Sequence, residues 1–316
     1  FYIRNDRAVK PPTDHIEANY SEGWSPIQGS FWRAGGIAPG LKLKDVLPRF
    51  TREAIEVIEA HAANKAYQDM PLMLYLAYPA PHTPWLPSQG FQGKSGAGMY
   101  GDFLMMVDAQ IGLVLDALDR TGMSKNTLLV FTSDNGPVWY DEDVRRLGHD
   151  SSGGLRGMKA DAWEAGHRMP FVVRWPGRVA PNTLSDRTIC HTDILATCAD
   201  VLGVKLPMDA GEDSFSMLPT LIGKQSDRPA RAETVTVSAR GMLSIRQGAW
   251  KLINGLGSGG FSRPSRVEPV AGGPRGQLYD LSRDPGESHN LWKERPEVVE
   301  RLTNRLREIV DRGRSR

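Results

Sequence analysis

Cysteine is scarce: the 316 residues hold only Cys190 and Cys198. The two fall in a stretch read as helical, separated by about 12 Å along a helix axis, which is beyond disulfide reach, so buried free thiols are expected. Long apolar runs are missing as well. None nears the roughly 18 residues needed to span a bilayer, and no membrane span is expected. Charge of one sign is also missing. Thirty-nine basic residues against 37 acidic ones leave a net charge of +2, with no basic run of five. That balance gives no reason to expect a nucleic-acid partner and leaves a small anion or a modest anionic polymer. The chain opens Phe1-Tyr2-Ile3-Arg4-Asn5, with no initiator methionine and no charged-then-apolar leader. It reads as the middle of a protein, so the missing leader carries no information about export.

What is present is an ordinary globular composition, 40% hydrophobic and 24% charged, on a chain long enough for one large α/β domain with a smaller appendage. Residues 1–50 read as surface loops with extended pieces such as Phe1–Arg4. The spacing of Ala54, Ile55, Ile58 and Ala62 predicts a helix with Thr51 as its N-cap. The run 71–78, closed by Pro79 and Pro81, predicts a buried strand of a mainly parallel sheet. Phe103 to Leu118 carries three-and-four spacing and predicts a long helix stopped at Gly122. Strands are predicted at 127–132 and 171–175, separated by a polar loop over 136–158, and a helix at 193–202 stopped by Gly203.

Beyond about residue 225, short strand candidates at 234–237, 242–246, 250–253 and 277–281 predict a small antiparallel sheet. A final amphipathic helix, with Val298, Val299, Leu302, Leu306, Ile309 and Val310 on one face, would cover it. The expected division is 1–224, part of an α/β domain, and 225–316, a small α+β module with one helix.

Three groups fall in loops at or near strand ends, where open α/β sheets bind ligands. Asp134 and Asn135 follow strand 127–132 and offer adjacent hard oxygen donors suited to calcium or magnesium. Two donors are too few for calcium, so the others must come from elsewhere; an Asx turn is the plain alternative. His82, held between prolines, suits a contact to an anionic oxygen or a general acid near neutral pH. Lys159 sits in a glycine-rich turn, Gly153-Gly154-Leu155-Arg156-Gly157-Met158-Lys159, which suits an anion. Taken singly, His82 and Lys159 also fit surface or packing roles. Trp85, Trp139, Tyr140 and His149 are candidates for a sugar-binding rim, although aromatic loop residues commonly just pack.

Read together, Gly153 to Gly177, Thr132-Ser133-Asp134-Asn135-Gly136 and Pro81-His82-Thr83-Pro84 resemble the type I sulfatases of the alkaline-phosphatase-like superfamily. Trp163-Glu164-Ala165-Gly166-His167-Arg168-Met169-Pro170 resembles a further family segment, with Ala165 where glycine usually stands. Trp250–Ile253, Leu278–Leu281 and Asp284–Leu291 resemble the C-terminal signatures. The resemblance implies an alkaline-phosphatase-like mixed sheet flanked by helices, partly represented here, and a calcium-assisted sulfuric ester hydrolase acting on sulfated carbohydrate or aryl sulfates. Magnesium is the alternative metal.

Carried over by residue, the resemblance implies Asp134 and Asn135 as metal ligands, His82 and Lys159 as catalytic contacts to sulfate, and His149 as substrate-facing. It also implies a formylglycine nucleophile from Cys/Ser-x-Pro-Ser-Arg, and a periplasmic, secreted or lysosomal location. Ser262-Arg263-Pro264-Ser265-Arg266 fits the nucleophile pattern but follows the metal segment in an apparent loop, so it is read as a chance match. The nucleophile is then expected upstream of Phe1, and this chain alone is expected to be inactive and aggregation-prone. The rivals are a phosphoester or phosphonate hydrolase, for which Gly148-His149-Asp150 is the nearest extra His-Asp pair, and a non-catalytic sulfated-glycan binder. Oligomeric state is not predicted.

Overall fold

A computed structural model describes residues 1–20, 27–224 and 231–316. The start of the expected 225–316 module therefore lies outside the described residues. The chain divides into two compact units, 1–126 with 147–149, and 127–146 with 150–316. Among the described residues no helix is long and apolar enough to cross a membrane.

The first unit opens with two small antiparallel ladders, β1 (Ile3–Arg4) on β2 (Arg7–Ala8) and β3 (Asp14–Ile16) on β4 (Gly35–Ile37). Two helices, α1 (Val46–Ala63) and α2 (Gly98–Arg120), pack against one another. Leu47, Ala54 and Ile58 are buried on the first, Met106, Val107 and Val114 on the second. The helix expected to begin at Thr51 starts five residues earlier, because Pro48 falls in the first turn, where a missing N–H costs nothing. Thr51 is not a cap. It is buried in mid-helix, with its hydroxyl 3.2 Å from the Leu47 carbonyl and 2.8 Å from the Tyr78 hydroxyl.

The buried strand expected over 71–78 has no regular secondary structure and joins no ladder among the described residues. Its alternate side chains are open, with Met73 69% and Tyr75 84% exposed. An apolar run marks a segment for burial, whereas a strand also requires a free neighbouring edge to pair with. At the start of α2, Asp102 accepts from the Gly93, Lys94 and Ser95 amides. Burial pushes its carboxyl up, but these donors prevail and hold it below the usual range.

In the second unit β5 (Leu129–Thr132) leads into α3 (Asp141–Leu147), whose last residue belongs to the first unit, so the stretch 136–158 is not wholly loop. Then come the short α4 (Glu164–His167) and β6 (Phe171–Arg174). β5 and β6 pair antiparallel, as does every ladder among the described residues. α5 (Asp193–Val201) ends just ahead of Gly203, as its spacing predicts, and α6 (Leu218–Leu221) follows. Cys190 and Cys198 are free and only partly buried, Cys190 lying ahead of α5 rather than within it.

The expected small sheet forms from β7 (Glu233–Val237), β8 (Leu243–Gln247), β9 (Trp250–Ile253) and β10 (Gln277–Asp280), in order β10-β9-β8-β7. Register puts Ile245, Leu252 and Leu278 side by side on one face. The last helix, α7 (Pro296–Arg312), covers them with Val298, Leu302, Leu306 and Ile309. Val310, expected on that face, is 52% exposed. The same register aligns Arg246, Lys251 and Tyr279 on the opposite face.

Candidate anion site

Asp134 and Asn135 follow β5 directly. The Asp134 carboxylate is exposed and has no partner among the described residues. Asn135 donates through Nδ2 to the Gly136 carbonyl at 2.9 Å, which leaves its side-chain oxygen available. Two backbone bonds tie this loop to the Lys159 segment: Lys159 N–H to Pro137 O at 2.7 Å, and Gly136 N–H to Gly166 O at 3.1 Å. Gly136 is needed for that approach, since a Cβ there would lie 1.6 Å from the Ala165 carbonyl oxygen. The half-buried Lys159 ammonium has no partner among the described residues. The structure thus joins the loops of Asp134, Asn135 and Lys159. Tyr140, half-buried on the same stretch, has its hydroxyl raised by burial and by Asp143 and Asp161.

The oxygens of Asp134 and Asn135 are of the hard kind that calcium or magnesium takes. Among the described residues no three His, Cys, Asp or Glu side chains gather as a metal cluster. The pair fits such an ion in chemistry and would supply two of the about six to eight oxygens calcium takes.

His82 and His149 belong to the first unit. His82 is exposed, with Nδ1 2.7 Å from the Thr83 carbonyl. A carbonyl only accepts, so Nδ1 carries the proton and Nε2 is left open. Trp85 pins the loop by donating through Nε1 to Pro81 O at 2.9 Å. His149 is exposed on the turn after α3. Of the candidate rim aromatics, Trp85 and Trp139 are buried and pack.

The polar face of the small sheet meets α4. Lys251, 3% exposed, sits 3.0 Å from both Glu164 and Glu287. Arg168 and Arg246 also pair with Glu164. Burial alone would raise the Glu164 carboxyl, but Lys251, then Arg168 and Arg246, bring it down to about 2. Burial prevails at Glu287, whose carboxyl is raised. The Glu287 side chain accepts from the Glu164 amide at 2.6 Å, and Arg156 stacks 3.8 Å over the Trp163 ring. A cavity of about 320 Å³ opens beside this stack, lined by Arg156, Trp163 and Tyr279 but not by Lys159.

A family model described as Sulfatase matches residues 43–204. The N-acetylgalactosamine-6-O-sulfatase of Bacteroides thetaiotaomicron is 37% identical over 286 residues, covering 89% of this chain and 54% of that protein. The chain belongs to the sulfatase family. Human arylsulfatase A is 33% identical over 243 residues, covering 72% of this chain and 46% of the relative. A solved structure, described under metabolism of multiple glycosaminoglycans by Bacteroides thetaiotaomicron, aligns with a TM-score of 0.75 at 37% identity. It covers 87% of this chain and 56% of its own. The fold is accordingly the alkaline-phosphatase-like α/β fold of the sulfatases. The chain spans about half the length of the curated relatives it matches.

Within this sulfatase frame, the signatures at 163–170, 250–253, 278–281 and 284–291 converge on the Lys251 cluster. Ser262–Arg266 lies in the loop joining β9 to β10, as its glycine-rich surroundings predict. Asp150 is occupied as a turn acceptor, taking the Ser152 amide and hydroxyl and the Gly154 amide, which argues against it as an extra metal ligand. One polar group at the strand end was not singled out from the sequence. The Nε2 of His191 lies 3.1 Å from the Thr132 hydroxyl at the end of β5. Its only local signal is a histidine just ahead of a helix.

Proposed function

We propose that the protein carrying this chain hydrolyses sulfate esters, with a sulfated carbohydrate as substrate and aryl sulfates as simpler surrogates. The observation that supports this most is the pair of backbone bonds joining the Asp134-Asn135 loop to the Lys159 segment, whose ammonium has no partner among the described residues. Asp134 and Asn135 would hold calcium, or magnesium, together with ligands supplied from outside this chain. A bound ion would place positive charge on the sulfate oxygens, and a formylglycine hydrate elsewhere in the protein would supply the attacking hydroxyl. The S–O bond to the alcohol then breaks, and its electron pair goes to the departing oxygen. The Lys159 ammonium stabilises that charge, an effect worth about 3 kcal/mol. The departing oxygen then takes up a proton. From residue 231 on, the small α+β module meets Glu164 of α4 through Lys251 and Glu287.

The relatives named for N-acetylgalactosamine 6-sulfate and arylsulfate chemistry support the substrate class. On this reading the 316-residue chain alone releases no sulfate. The test is sulfate release from a sulfated N-acetylgalactosamine by the full-length protein. Lys159→Ala is expected to lower kcat by roughly 100-fold or more. Saturable glycan binding without release by the wild type would instead identify a non-catalytic binder.

A further inference from the structure

Asp161 is fully buried, and its acceptor positions are filled by two different stretches of chain. One oxygen takes the Met158 amide at 2.9 Å and the Ser262 hydroxyl at 2.5 Å, and the other takes the Phe261 amide at 2.7 Å and the Ser262 amide at 3.1 Å. A single carboxylate therefore clasps the peptide entering Lys159 to the tip of the loop between β9 and β10. The seam continues on both sides. Ala162 N–H donates to Ser258 O at 2.7 Å, Ala239 N–H to Ala160 O at 2.9 Å, and Arg240 N–H to Gly259 O at 3.0 Å. A Cβ at Gly260 would sit 2.3 Å from Ala160 O, so the loop lies flush against the residue after Lys159.

The backbone of this loop is fixed while its tip is open. Ser258 is fully buried, whereas Phe261 is 45% exposed and Arg263 is exposed with no partner among the described residues. Arg266, by contrast, pairs with Glu268 at 3.0 Å. An exposed ring and a free guanidinium on a rigid loop suit an acidic sugar chain. A pyranose face stacks on an aromatic ring, and a guanidinium grips an anionic group in bidentate fashion.

We infer that Phe261 and Arg263 form a specificity-determining lip beside Lys159, with Phe261 against the sulfated sugar and Arg263 on an anionic group of the neighbouring sugar. This rests on the sulfatase reading. The test uses the full-length protein and three substrates: 4-nitrophenyl sulfate, N-acetylgalactosamine 6-sulfate, and a disaccharide joining that sugar to a uronic acid. Phe261→Ala is expected to lower kcat/KM about tenfold on both sugars, through KM. Arg263→Ala is expected to lower it about tenfold on the disaccharide alone. Arg266→Ala is expected to change none of them. Equal losses on all three substrates, or no loss on the sugars, would overturn the lip. If the wild type releases sulfate from none of them, the sulfatase reading fails by itself, and calorimetric binding of the disaccharide then decides. Weakening by Arg263→Ala supports the lip, and unchanged affinity removes it.

Discussion

The Ala165 carbonyl fills the space a side chain at position 136 would need. Gly136→Ala is therefore expected to push the Asp134 loop off the Lys159 segment at a cost of about 1–3 kcal/mol. A lower thermal midpoint and at least a tenfold loss of sulfate release by the full-length protein would register it. His167 sets a pH limit. Burial, then the Lys251 charge, lowers it to about 4, and its Nε2 has no hydrogen-bond partner among the described residues. The unfolded chain takes up this proton first, so the contribution is complete above about pH 6.5 and is lost as pH falls through 4. Glu164, lowered to about 2, extends the loss below pH 4.5. Thermal midpoints across this range should fall more gently for His167→Gln than for wild type. The sequence displays Asp134, Asn135 and Lys159 because glycine and strand-end context mark them locally. It hides Asp161, whose Phe261 and Ser262 partners are 100 and 101 residues away.

At the scale of elements, α2, α5, α7 and the four strands of the small sheet were legible, since each carries its own apolar period. Thr51 misled because a proline in a first helical turn looks like a boundary. The strand partners of 71–78 could not be read, because an apolar run carries no record of its neighbour. The polar face of the small sheet was equally hidden: Lys251 and Glu164 are 87 residues apart. Lys251→Met leaves two buried carboxylates without their shared cation and is expected to cost about 3–5 kcal/mol at pH 8. The cost should shrink toward pH 4 as Glu287, already raised, takes up a proton. Urea unfolding at the two pH values measures this. Leu302→Ala, on the apolar face, should cost about 2–5 kcal/mol with no such pH dependence.

For the whole molecule, composition and strand-end loops carried the α/β reading, while the division into units depends on long-range packing that no local window contains. Met73 and Tyr75 stand open on an apolar segment without a ladder partner among the described residues, an arrangement that invites association between chains. Light scattering of the isolated chain should show concentration-dependent association, reduced in Met73→Lys/Tyr75→Lys. The Asp161 clasp has a different consequence. Three of its four bonds run to main-chain amides, and only Ser262 contributes a side chain. The side chains of residues 261 and 263 are thus uncoupled from the clasp. Exchanging that tip between relatives would alter the proposed lip while the backbone of Lys159 stays in register.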